Sequence, residues 1–190
     1  MKRFLLMLIA LLTVVSLCSC SNNDEITVAE DQVLAGRQAG NDAVDYSFAY
    51  PKEWSRVRND GTIELQFDYN PSDGYANYAT YTVLAFALSD NQQSVKGYWE
   101  EQEPRVKDTF NDYKVLDIKE YDTPETYLGK VAPAMKVKYS FRHMDMTYIS
   151  EQIICVHMNS VYLLTLTVPE EGYEFSSGIV ACAKDSFVFE

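Results

Sequence analysis

Between Thr62 and Tyr69 apolar and polar residues alternate strictly, with Ile63, Leu65, Phe67 and Tyr69 set against Thr62, Glu64, Gln66 and Asp68. A period of two predicts a strand with one buried and one wet face, because successive side chains of an extended chain point to opposite sides. The same period runs through Met135, Val137, Tyr139 and Phe141, with Lys136, Lys138, Ser140 and Arg142 between them, and predicts a strand with a basic outer face. Thr80 to Leu88 is apolar on both parities, which predicts a central strand covered on both faces. Ile153 to Met158 and Val161 to Val168 predict two further strands, joined as a hairpin through Asn159-Ser160. The period-two pattern begins at Tyr46, and Ser186 to Phe189 predicts a short closing strand.

Two segments follow a helical stripe instead. Ser94 is a good N-cap for Val95, Trp99, Gln102, Val106 and Phe110, although Pro104 should kink or split that helix. After Pro169 and Gly172, Phe175, Ile179 and Cys182 predict a second helix with this stripe on the sheet. Mostly antiparallel strands with helices in two places make the chain α+β, a sheet whose apolar faces need a helical covering.

Ahead of these elements lies a different kind of sequence. Lys2 and Arg3, the apolar run Phe4 to Val15, and then Leu17-Cys18-Ser19-Cys20 read as a lipoprotein export signal whose acceptor is Cys20. Cys18 competes as acceptor but would put bulky Leu17 at the cleavage point. The run falls short of the about 20 apolar residues that span a bilayer. Residues 1–19 are thus a signal peptide, 20–43 an acidic lipid-anchored tether and 44–190 the domain. The 23 residues after the anchor would reach roughly 25 to 30 Å as a coil. Within them Ala29 to Ala39 has a helical stripe too thin to stand alone.

Cleavage before Cys20 leaves 171 of 190 residues, enough for one domain, and takes the formal charge from -12 to -14. That sign argues against nucleic acid and against electrostatic adhesion to anionic lipid. Fourteen tyrosines suit half-buried strands.

At Tyr46-Ser47-Phe48-Ala49-Tyr50-Pro51-Lys52-Glu53-Trp54 the chain resembles the opening of PsbP-like domains. The Ser94 helix with Trp99, the turn Gly129-Lys130-Val131-Ala132-Pro133-Ala134, the Tyr162 to Thr167 strand and a last helix ending in Asp185-Ser186-Phe187 follow in the same order. The resemblance spans about residues 44 to 190 and identifies the chain as similar to PsbP-like bacterial lipoproteins. It implies an α/β/α sandwich around an antiparallel sheet, with non-catalytic binding or assembly at a membrane surface.

Little in the chain assembles into catalytic chemistry. The two histidines, His143 and His157, each have one potential ligand two residues away, Asp145 and Cys155, and both read as structural residues on buried strand faces. There is no Gly-x-Ser-x-Gly elbow, Ser176-Ser177-Gly178 lacks the preceding glycine, and no glycine-rich phosphate loop occurs. Asp68-Tyr69-Asn70-Pro71-Ser72-Asp73-Gly74 is out of register for a calcium loop, with Asp73 at the glycine position and Ala79 at the bidentate position, and reads as an Asx-Pro turn. Around it, Tyr69, Tyr75 and Tyr78, with Tyr81 beside them, are candidate recognition residues. Trp54 and Trp99 read as core anchors, and Glu100, Glu101 and Glu103 as a solvated helix face. Lys136, Lys138 and Arg142 either bind an anion or are covered and paired by a helical layer. Cys155 and Cys182 form a disulfide, worth roughly 3 to 4 kcal/mol for a loop of about 28 residues, or remain buried thiols.

The sequence therefore predicts a non-enzymatic domain, held extracytoplasmically on a membrane by palmitate on Cys20, with no metal or cofactor and a protein or envelope partner. Ser21 after the acceptor fits the outer membrane in a host with two. The alternatives are a hydrolase using scattered carboxylates and a small-ligand or cation-binding lipoprotein.

Overall fold

A computed structural model describes residues 28–36, 45–59, 62–70, 78–88, 94–121 and 132–190. The signal, Cys18, Cys20, Tyr75 and the Asp73-Gly74 end of the turn lie outside the described residues. The strands are β1 (Gln32–Gly36), β2 (Tyr46–Pro51), β3 (Ser55–Asn59), β4 (Thr62–Asp68), β5 (Tyr78–Ala87), β6 (Asn111–Tyr121), β7 (Ala134–His143), β8 (Met146–His157), β9 (Ser160–Pro169) and β10 (Val188–Phe189). The helices are α1 (Val95–Thr109), α2 (Tyr173–Ser176) and α3 (Gly178–Ser186), with a 3-10 turn at Glu170–Gly172. Every pairing is antiparallel. Seven strands form one sheet in the order β3-β4-β5-β9-β8-β7-β6, and three form a second, β1-β2-β10.

The register assigns the strand residues to two faces. Val83, Leu164 and Ile153 lie in line across β5, β9 and β8, as do Tyr81 and Leu166, and these side chains are fully buried. They meet Tyr46 and Phe48 of β2, Phe187, and Ile179, Val180 and Ala183 of α3. Rings dominate this core: Tyr46 and Phe187 stack at 5.1 Å, and Tyr162 meets Tyr46 edge-on at 5.8 Å. On the opposite face Met135, Val137, Tyr139, Phe141, Ile154 and Val161 meet Val95, Tyr98 and Trp99 of α1. Ser94 caps α1 by accepting from the Gly97 amide at 3.1 Å.

Several expectations are corrected by this packing. Gln32–Gly36, inside the stretch read as a tether with at most a thin helix, is a strand paired along β2 with Ala35 buried. Its partner edge supplies hydrogen bonds that the sequence pattern of so short a segment does not display. Helix α1 runs unbroken through Pro104, at an exposed turn where water can take up the carbonyl that proline leaves unbonded. The second helix is interrupted at Ser177, so its buried stripe becomes Ile179, Val180 and Ala183, and Phe175 stands 70% exposed. Thr80 to Leu88 is fully covered on one face and partly on the other: Phe86 meets Tyr98 of α1 at 6.5 Å, but Leu84 is 37% exposed, because α1 lies mainly over β6, β7 and β8. The hairpin turn is Met158-Asn159, one residue earlier than expected, and both have positive φ (42° and 62°) as the tight two-residue turn requires.

Cys155 and Cys182 are free. Helix α3 rests on β2, so the Cys182 sulfur faces the small sheet: it donates toward the Ala49 carbonyl at 3.5 Å and accepts from Gln32 Nε2 at 3.3 Å. Burial pushes the Cys155 thiol up to about 12 and also raises that of Cys182. Since only the thiolate reacts, a chain with Cys18 and Cys20 replaced by serine should be alkylated slowly at Cys182 at pH 8 and not at Cys155 until unfolded. Mass spectrometry of the alkylated peptides checks this, and prompt native labelling of Cys155 would contradict the burial.

Candidate functional site

One end of the large sheet gathers the groups with binding chemistry. Where β7 turns into β8, Phe141 and Tyr148 sit in register on adjacent strands and their rings stack at 5.5 Å and 13°. Phe110, the C-cap of α1, closes on Phe141 at 4.1 Å. Together with Tyr139, His143 and Thr167 these rings line a cleft of about 330 Å³. His143 stands at its rim, exposed and edge-on to Tyr148 at 6.2 Å, rather than continuing the buried face. Two residues past Phe141 the sheet has run beyond the covering of α1, and the alternation no longer implies burial. Tyr139 is held at the back between Trp99 at 6.3 Å and Tyr113 at 5.4 Å, and burial raises its pKa against a hydrogen bond with Ser150. Tyr113 donates to Glu103 Oε1 at 3.5 Å, so burial and this carboxylate both raise its pKa.

Beside the cleft the same sheet face is a strip of neutral polar side chains. The register sets Ser150, Thr167, Thr80 and Gln66 in one row across β8, β9, β5 and β4, and Gln152, Thr165, Thr82 and Glu64 in the next. Gln152 Nε2 donates to Thr165 Oγ1 at 2.8 Å, and the Ser150 and Thr167 hydroxyls are 3.4 Å apart. A second cleft of about 370 Å³ at this end is lined by Met146, Thr147, Pro169, Glu170 and Glu171.

The basic side chains of β7 point the other way and are engaged. Lys136 Nζ lies 3.0 Å from Glu151, whose side chain is 6% exposed, and Glu151 also accepts from the Tyr173 hydroxyl. Lys138 Nζ sits 3.6 Å from the centre of the Tyr173 ring, and Arg142 reaches Asp145 at 3.8 Å in solvent. Glu151 of β8 pairs Lys136 and the Tyr173 ring of α2 covers Lys138, which removes the anion-site reading for these two.

The tyrosines singled out by sequence part company. Tyr81 is fully buried, with burial raising its pKa well above the usual value. Tyr78 is 48% exposed at the start of β5, whereas the Tyr69 ring lies against Gly172 and its hydroxyl reaches Glu171 at 3.5 Å. Neither Tyr69 nor Tyr78 lines the aromatic cleft. Asp68 Oδ1 accepts from the Asn70 amide at 3.1 Å, the Asx turn expected there. The His157 ring lies tilted against Phe189 at 4.1 Å, and burial lowers its pKa. The Ser176 hydroxyl is buried and bonded to the Gly172 carbonyl at 2.9 Å. Among the described residues no cluster of three metal-ligating side chains occurs, and no helix is long and apolar enough to cross a membrane. The sequence missed the cleft because its rings come from a helix cap and two strands; Tyr148, five residues after His143, was its one unread signal.

No family model and no curated protein matches this chain. Solved structures do. It is similar to cyanobacterial PsbP from Synechocystis sp. PCC 6803, at TM-score 0.56 and 10% identity over 92% of this chain and 99% of that one. It is also similar to LpqN, involved in cell envelope biogenesis of Mycobacterium tuberculosis, at TM-score 0.59 and 9% identity over 83% and 90%. A mutant form of Mog1 superposes at TM-score 0.51 and 10% identity over 76% and 90%. The fold is thus of the PsbP/Mog1 type, mostly antiparallel strands in two sheets with few helices.

Proposed function

We propose that the protein is a lipid-anchored, extracytoplasmic, non-enzymatic binding domain that holds a protein or envelope partner through the aromatic cleft. The observation that carries this reading is the makeup of the cleft: five aromatic rings, two of them tyrosines, with Thr167, a surface that grips by area and shape. The imidazole of His143 stands exposed at the rim with no nucleophile bonded to it among the described residues. The lipobox at Cys20 and the envelope role named for LpqN support the location. The α/β/α layering belongs to the same reading, with α1 over one sheet face and α3, together with the small sheet, over the other. Such a domain would sit on the membrane, in the outer one where the host has two.

Cys20→Ser should move the protein from the membrane to the soluble extracytoplasmic fraction, and Cys18→Ser should not. Retention of the Cys20→Ser protein on membranes after a salt wash contradicts the anchor. Robust turnover of ester, peptide, glycoside or phosphate substrates, abolished by one substitution, contradicts the non-enzymatic reading.

A further inference from the structure

We infer that the aromatic cleft and the polar strip beside it form a binding site for an uncharged glycan chain. The inference rests on the reading of this cleft as the place where the envelope partner is held, and it names the partner's chemistry. The partly buried rings of Phe110 and Tyr148, each stacked on the buried Phe141, present flat apolar area of the kind that the carbon-bound hydrogens of a sugar ring can cover. Thr167 in the wall leads directly to Thr165, Thr80, Thr82, Gln66 and Gln152. These hydroxyls and amides both donate and accept, as every sugar hydroxyl does, so a glycan laid on the strip leaves neither side's polar groups unmatched.

Charge narrows the ligand further. Among the described residues no carboxylate, lysine or arginine lines the cleft, and the strip is neutral except at its β4 end, where Glu64 lies in register with Arg58 of β3. The chain as a whole carries -12, which repels an anionic polymer, while a cation finds no carboxylate in the cleft. A peptide bound by strand addition would need an open strand edge, and the backbone groups of β5, β9 and β8 beneath this site are spent on the sheet ladder. An alkyl chain would leave the hydroxyl strip unused. The cleft, at about 330 Å³, lies at the small end of ligand pockets, about 300 to 1,000 Å³. It suits an end or a bend of the glycan, with the neighbouring units on the strip.

The test is calorimetry on the detergent-solubilised full-length protein. The probes are hexasaccharides of glucose, N-acetylglucosamine, mannose and xylose, with a hyaluronan hexasaccharide and a proline-rich decapeptide as the other classes. At least one neutral hexasaccharide should bind. Tyr148→Ala should weaken it about tenfold or more, and Thr167→Val, which keeps the shape and removes the hydroxyl, by about threefold to tenfold. His143→Ala, at an exposed position, serves where Tyr148→Ala fails to fold and should also weaken binding, whereas Met158→Ala at the opposite sheet end should not. No binding by any neutral hexasaccharide at millimolar concentration overturns the inference. So does binding of the peptide or hyaluronan alone, or affinity unchanged in folded Tyr148→Ala and Thr167→Val. A photo-crosslinking residue placed at position 143 separates the two claims: discrete adducts on intact cells without glycan binding would sink the glycan and leave the partner reading standing.

Discussion

Trp54→Ala should lower the stability of the domain by about 3 to 5 kcal/mol, a large share of the about 5 to 15 that a domain has. Trp54 follows the turn in which its amide donates to the Pro51 carbonyl at 3.1 Å, and its side chain is 4% exposed. The indole packs at 5.4 Å from Phe67 and 6.4 Å edge-on to Tyr81, so it bridges β4 and β5 at the margin of the main core. Truncation removes its apolar burial and leaves a cavity that two flat rings cannot close by small shifts. Urea unfolding followed by circular dichroism reads the loss. An unchanged midpoint would mean that Trp54 is no core anchor.

Lys136→Met should cost about 2 to 3 kcal/mol, because it leaves the Glu151 carboxylate buried with the Tyr173 hydroxyl as its remaining named partner. Lys136 keeps 28% of its side chain exposed, which places the loss below that of a fully buried pair. Adding Glu151→Leu to Lys136→Met should recover most of the stability, since the unmatched charge goes and an apolar side chain enters an apolar setting. The double-mutant cycle by urea unfolding checks both statements. A single-mutant loss under about 0.5 kcal/mol would place the pair with ordinary surface bridges.

The strands with clean alternation were legible because one of their faces is buried and the other is not: β4, β7 and β9 appear close to the expected bounds. The edge strand β6 was not. Its run Asn111 to Tyr121 carries charges on both parities and two register shifts against β7, so no single period survives in the sequence. β1 is five residues long and depends on β2 for its order. Phe175 shows the converse, an apolar residue with helical spacing that the break at Ser177 turns out to solvent. The fold type was readable from the order of its parts around Trp54 and Trp99, both of which are buried where bulk is needed.

By itself the sequence determined the strands whose alternation reflects a local choice of face, the capped first helix, the acidity of the chain and its want of a local catalytic motif. Those properties are written in neighbours along the chain. Tertiary structure alone decided that Lys136 and Lys138 meet Glu151 and Tyr173, and that Cys182 turns to β2 rather than to Cys155. It also decided that Phe110, Phe141, Tyr148 and Thr167 surround one cleft. Each of these joins residues from separate elements, and which groups meet is set by strand register and by which half of a sheet a helix covers, neither of which is encoded in local periodicity.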